Sequence, residues 1–183
     1  MSLHRITAAL LPALLAACAS PFAPTEPSAL RPAGGERLLM TVAARGVQIY
    51  ECRSTAGAAP AWTLLAPEAE LFDAAGQRIG SHGAGPHWLA QDGSRLVGSV
   101  KARADAPSPQ AIPWLLLSAR DVGPAGRFSG VTSIQRVNTA GGNAPLGGCD
   151  AASLGRSVRV PYTADYRLFR NPGALVASPT YPI

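Results

Sequence analysis

From Glu36 onward, side-chain character changes with a period of two, and that alternation confines the chain to β-strands. Leu38, Met40, Val42 and Ala44 share one parity; Val47, Ile49 and Glu51 then oppose Gln48, Tyr50 and Cys52. Arg45-Gly46 between these runs predicts a hairpin corner or a bulge. Further strands are expected at 62–65, 70–72 and 77–79, the last two joined by an Asp73-Ala74-Ala75-Gly76 turn. A sharper hairpin spans 86–91 and 95–103, because Asp92-Gly93 supplies the positive φ angles that a tight hairpin turn demands. Residues 112–117 form a nearly continuous apolar run, as expected of a strand covered on both faces. Residues 131–137 and 158–169 alternate again, with Pro161 placed at an edge or bulge.

No segment has the period of an amphipathic helix of three turns; at most, Pro67-Glu68-Ala69 starts a single helical turn. The 19 glycines and 17 prolines, about a fifth of the 183 residues, suit many short elements and tight turns. The expectation is one all-β, antiparallel domain over 36–183, a sandwich or barrel of roughly eight to ten short strands.

The N-terminus reads as an export signal. His4 and Arg5 precede an uncharged apolar run at 6–17, too short to span a bilayer but suited to a signal-peptide core. It ends in Leu15-Ala16-Ala17-Cys18, which resembles the bacterial lipobox, so cleavage before Cys18 and lipidation of its thiol are expected. The rival is simple secretion, with cleavage at a nearby alanine. Ala19 is not the aspartate that resembles an inner-membrane retention signal, which points to an outer-membrane lipoprotein facing the periplasm or the exterior. The Pro/Ala/Ser-rich stretch completing residues 18–35 is expected to be a disordered tether.

With Cys18 assigned to lipid, Cys52 and Cys149 remain. An even pair in an oxidising compartment is most simply a disulfide, here closing a loop of 97 residues (149 minus 52). Two free thiols, or a metal site with His82 or His87, are the alternatives. The net charge of +5 is spread along the chain, in Arg103, Arg120, Arg127, Arg136, Arg156, Arg159, Arg167 and Arg170. A nucleic-acid binder would cluster such charge beside aromatics, so that class is set aside.

Several motifs arrive in order. They are Gly46-Val47-Gln48-Ile49-Tyr50-Glu51-Cys52, Leu65-Ala66-Pro67-Glu68-Ala69, Gly80-Ser81-His82 and Ala84-Gly85-Pro86-His87-Trp88. Ala111-Ile112-Pro113-Trp114-Leu115-Leu116-Leu117, Ile134-Gln135-Arg136-Val137-Asn138-Thr139 with Gly141-Gly142, and Val160-Pro161-Tyr162-Thr163-Ala164-Asp165-Tyr166 follow. Together they resemble the domain-of-unknown-function family numbered thirty-four fifty-five, found in bacteria and fungi. The resemblance covers nearly all of the chain after the tether and implies no activity. Some fungal relatives carry a malate dehydrogenase label. A dinucleotide site needs G-x-G-x-x-G between a strand and a helix; Gly83-Ala84-Gly85 lacks the third glycine and runs through Pro86 into a strand.

No catalytic residue and no cofactor motif can be assigned. His82 and His87, with Trp88, sit in a glycine-rich loop and are weak metal candidates, since a catalytic zinc needs a third protein ligand. Glu51, Asp73 and Asp92 are the nearest carboxylates in hairpins; the alternative is that both histidines satisfy loop backbone while Trp88 is core. No G-x-S-x-G occurs, and Ser94 follows a turn aspartate. Arg136 and Asn138, two apart on one strand face, form a second candidate suited to a carboxylate or a sugar hydroxyl. Tyr162, Asp165 and Tyr166 line the same pocket, or else the two tyrosines are core and Asp165 or Glu68 is an internal ion-pair partner of Arg136. Three functions remain: a non-catalytic envelope module binding a small molecule, glycan or protein; a metal-dependent or hydrolytic enzyme using His82 and His87; and a purely structural envelope protein. The first is preferred.

Overall fold

The computed structural model describes residues 26–54 and 57–172. The expected signal peptide, Cys18 and the first part of the tether lie outside these residues. Eight strands follow one another: β1 (Arg37–Arg53), β2 (Ala61–Phe72), β3 (Arg78–Gly83), β4 (His87–Ala90), β5 (Arg95–Ala104), β6 (Trp114–Asp121), β7 (Val131–Gly141) and β8 (Ser157–Arg170). Each pairs antiparallel with the next, and β8 returns to pair with β1, so the sheet closes into an up-and-down barrel. Two single turns of 3-10 helix lie at Ser28–Leu30 and Ala151–Ser153.

The turns form where the side chains provide for them. Asp73 Oδ1 accepts the amide hydrogens of Ala75 and Gln77, closing the β2–β3 hairpin. At the β4–β5 turn, Asp92 Oδ1 accepts from the Ser94 amide and hydroxyl; of the expected pair Gly93 alone takes a positive φ, +88°, because Asp92 uses its carboxylate rather than a left-handed backbone to close the turn.

Two local expectations are overturned. Arg45-Gly46 is neither corner nor bulge: β1 runs unbroken through it, with Val42, Ala44, Gln48, Tyr50 and Cys52 all turned inward. The bulge lies at Ile49/Tyr50, where Leu65 of β2 is left without an opposite residue. Pro67-Glu68-Ala69 is not a helical turn but the middle of β2. Pro67 lies beyond the residues of β2 that pair with β3, so its missing N–H deprives that ladder of nothing. Pro161 likewise sits one residue past the last β7–β8 pair, Gly141 with Tyr162.

The barrel interior is filled by Leu71, Trp88, Leu96, Phe128, Ile134 and Leu168, all essentially inaccessible. Burial of each such side chain contributes about 1.5–3 kcal/mol. Charged side chains such as the pairs Arg78–Glu70 and Arg159–Glu68 stand on the outside. This is the reverse of a membrane-spanning barrel, whose outer band is apolar.

β6 is covered on both faces, which explains its apolar run. Leu117 packs inside, while Trp114 and Leu116 face out and join Val137 of β7 around Leu30. Leu30 belongs to the stretch expected to be a free tether. From Glu26 onward that stretch instead straps the barrel: Glu26 pairs with Arg167 at 2.9 Å and contacts Gln135, and Glu36 accepts from Thr132 and Ser133. Packing therefore includes residues 26–35, which composition assigned to the tether. At the other end, Cys52 is disulfide-bonded to Cys149, tying β1 to the long loop after β7. Tyr50 donates to the Gly142 carbonyl at 2.6 Å and Trp62 Nε1 to that of Gly147 at 2.8 Å, holding the same loop against the barrel end.

Candidate functional site: a window in the barrel wall

The pairing lapses on one side of the barrel. β2 pairs with β3 only between Ala69 and Phe72, and β4 pairs with β5 only between Arg95 and Val97. Residues 61–68 of β2 and 99–104 of β5 therefore have a strand on one flank only, and the β3–β4 hairpin between them ends at the turn 84–86. The result is a window into the barrel. Leu64, Leu65 and Val100 border it and are 49%, 40% and 57% exposed. Behind them lies a cavity of about 260 Å³.

Trp88, Leu117, Tyr166, Gln48, His82 and Arg136 line the interior of this cavity. Gly98 makes room for the indole: a Cβ there would stand 2.8 Å from Trp88 Cζ3. His82 stacks on Trp88 with centroids 4.5 Å apart, and Tyr166 meets the indole edge-on at 5.3 Å. His82 Nδ1 lies 2.8 Å from the His87 carbonyl. Burial pulls the His82 pKa down to about 3, so the neutral ring donates through Nδ1 and carries its lone pair on Nε2. Burial also raises Tyr166, which keeps its hydroxyl a donor at neutral pH.

Three buried donors in this cavity lack partners: Gln48 Nε2, Trp88 Nε1 and the Tyr166 hydroxyl. Arg136 and Tyr162 approach Tyr166, but neither contact has the geometry of a full hydrogen bond. Native interiors rarely leave such groups unpaired, because each costs about 1–3 kcal/mol. Arg136 spends Nε and Nη2 on the Pro113 carbonyl, at 3.1 and 2.8 Å.

Of the residues singled out in the sequence, His82, Trp88, Arg136 and Tyr166 come together here. The others do not. His87 turns its ring to the Ala84 carbonyl, 2.7 Å away, and flanks Gly83. Asn138 does not share a face with Arg136: it takes φ +51°, the β7–β8 register shifts beside it, and its amide donates to the outward Asp165 at 2.8 Å. The shared-face reading fails because one left-handed residue breaks the alternation. Among the described residues, no three of His, Cys, Asp and Glu gather in a way that could hold a metal ion. Ser94 is buried, bonded to Asp92 and accepting from the Phe128 amide, a structural role. Sequence reasoning missed Gln48, Leu64, Leu65 and Val100 as site residues; Gln48 was detectable as a polar residue on the inward parity of β1.

Residues 32–170 match a family model described as "Protein of unknown function (DUF3455)". The chain belongs to that family. The DUF3455 match ends at the last residue of β8 and spans all eight strands, window and cavity included. No curated protein matches the chain. In this DUF3455 barrel Gly83-Ala84-Gly85 leads into the β3–β4 turn with no helix after it, so the phosphate-binding turn of a dinucleotide fold is not built.

Proposed function

We propose that the protein is a non-catalytic binding module of the cell envelope that takes a small, largely apolar molecule into the barrel through the window between β2 and β5. The observation that carries this reading is the cavity of about 260 Å³ in which three fully buried donors lack partners. A cavity of about 150 Å³ accepts benzene, so this one has room for about ten non-hydrogen atoms. The envelope location is supported by the apolar run at 6–17 ending at Cys18 and by the disulfide, which needs an oxidising compartment. Changing Cys18 to Ala moves the protein from the membrane fraction to the soluble fraction if the lipid is its anchor.

Thermal unfolding of the purified full chain with octanol or indole tests the cavity. A ligand at 100 times its dissociation constant adds about 2.7 kcal/mol, roughly 5–10 °C for a domain of this size. Val100→Trp, which fills the window from an exposed position, is expected to abolish the shift without lowering the unliganded melting temperature. A shift that survives this plug places the ligand elsewhere and overturns the reading.

A further inference from the structure

The unpartnered polar groups of the cavity are donors, and one of the lining residues is charged. The Arg136 guanidinium keeps N–H groups beyond those spent on Pro113. Among the described residues no carboxylate pairs with it; the four ion pairs belong to Arg53, Arg78, Arg159 and Arg167. A half-buried guanidinium with no carboxylate beside it among the described residues leaves the cavity with a net positive charge in surroundings of low dielectric. Gln48 and Tyr166, each 1% exposed, bring an amide and a hydroxyl donor to the same space.

We infer that the cavity selects a monocarboxylate with a compact apolar body: the carboxylate seats on Arg136 and accepts from Gln48 and Tyr166, while the body packs on Trp88 and Leu117. This rests on the reading of the cavity as a ligand site. Charge decides the head group. One guanidinium matches one negative charge, whereas a phosphate dianion would enter with a charge left over, and His82 is neutral and adds none. An alcohol or amide head leaves the guanidinium as it was. Hydrogen bonds to a charged group contribute about 1.5–3 kcal/mol, roughly tenfold or more in affinity. A body of about ten non-hydrogen atoms fits an acyl chain or an aryl group equally, so both sources share the head chemistry.

The test is calorimetric titration of the full chain with octanoate and phenylpropanoate, each against its primary amide, in wild type, Arg136→Gln and Arg136→Lys. The expected result is at least about tenfold tighter binding of one or both acids than of the matching amide. Arg136→Gln brings that ratio to about one while amide binding persists, and Arg136→Lys keeps a reduced preference. The stronger acid tells whether the source is acyl or aryl, and either supports the inference. Equal binding of acid and amide in wild type, or a preference that survives Arg136→Gln, overturns it and leaves the cavity a neutral-ligand site. Failure of acids and amides alike overturns both this inference and the binding reading. Melting curves of the three proteins, together with Gln48→Leu as a second variant expected to weaken acid binding, separate lost recognition from lost folding.

Discussion

His82 donates its Nδ1 hydrogen to the backbone carbonyl of His87, 2.8 Å away across the β3–β4 hairpin. That bond fixes the ring beneath Trp88 and keeps it buried, and burial lowers its pKa from 6.5 to about 3. The unfolded chain therefore takes a proton that the folded chain refuses. Stability is intact above pH 6.5 and falls as pH drops toward 3, by about 1.4 kcal/mol per unit. Glu68, Asp92 and Asp150 are shifted downward too, chiefly by hydrogen bonds from Arg159, Ser94 and Ser153, but their losses come mainly below their ordinary 4.5 and 3.8. Urea midpoints between pH 6.5 and 4.5 thus report His82, and His82→Gln is expected to flatten that slope. A wild type equally stable at both ends of this interval contradicts the assignment.

Gly46 is required by a close approach, not by its backbone angles. A Cβ there would come 2.1 Å from the Glu68 carbonyl oxygen and 2.5 Å from Ala69 Cα, both main-chain atoms of the paired strand. The barrel holds β1 between β2 and β8, so neither side can yield easily. Gly46→Ala is expected to lower stability by about 1–3 kcal/mol, as overpacking does. Gly147→Ala, where a Cβ meets nothing within 4 Å, serves as the control and should unfold like wild type.

The Cys52–Cys149 bond closes 97 residues and anchors the loop that Tyr50 and Trp62 also hold. Chain entropy alone gives about 4.7 kcal/mol for a loop near that length, and disulfides typically contribute about 2–4 kcal/mol. Cys52→Ala with Cys149→Ala should lower the unfolding free energy from urea titration by that amount while leaving the barrel's circular dichroism intact. Thiol labelling of denatured, unreduced wild type should find neither cysteine.

What the sequence made legible is local chemistry. Asp73 and Asp92-Gly93 announced their hairpins, and the run at 112–117 announced a doubly covered β6, because side chain and neighbouring backbone settle those features within a few residues. The closure of β8 on β1 has no such signature: Tyr166 meets Val42 across more than a hundred residues, so a barrel and a sandwich read alike. The window was illegible for a related reason. It is defined by strands that fail to pair, and β2 carries the same alternation whether or not β3 lies beside it. Asn138 defeated the parity argument through one positive φ. Leu30 was hidden by the prolines and alanines around it, a composition that ordinarily stays free of the core.

Leu30 offers the most direct check of the strap. It is fully buried between the outward faces of Trp114, Leu116 and Val137, so removing its side chain leaves a cavity between β6, β7 and the strap. Leu30→Ala should cost about 2–5 kcal/mol if the strap cannot collapse inward, and less if the single 3-10 turn at Ser28–Leu30 moves in to fill the space. Leu146→Ala, at a fully exposed leucine in the long loop, should change nothing measurable. Deleting residues 26–35 goes further: it uncovers Trp114 and Leu116 and removes the partners of Gln135 and Arg167 together. That protein is expected to melt well below wild type and to self-associate through the bared β6–β7 face. Equal melting temperatures for wild type, Leu30→Ala and the deletion would mean that the strap lies on the barrel without stabilising it.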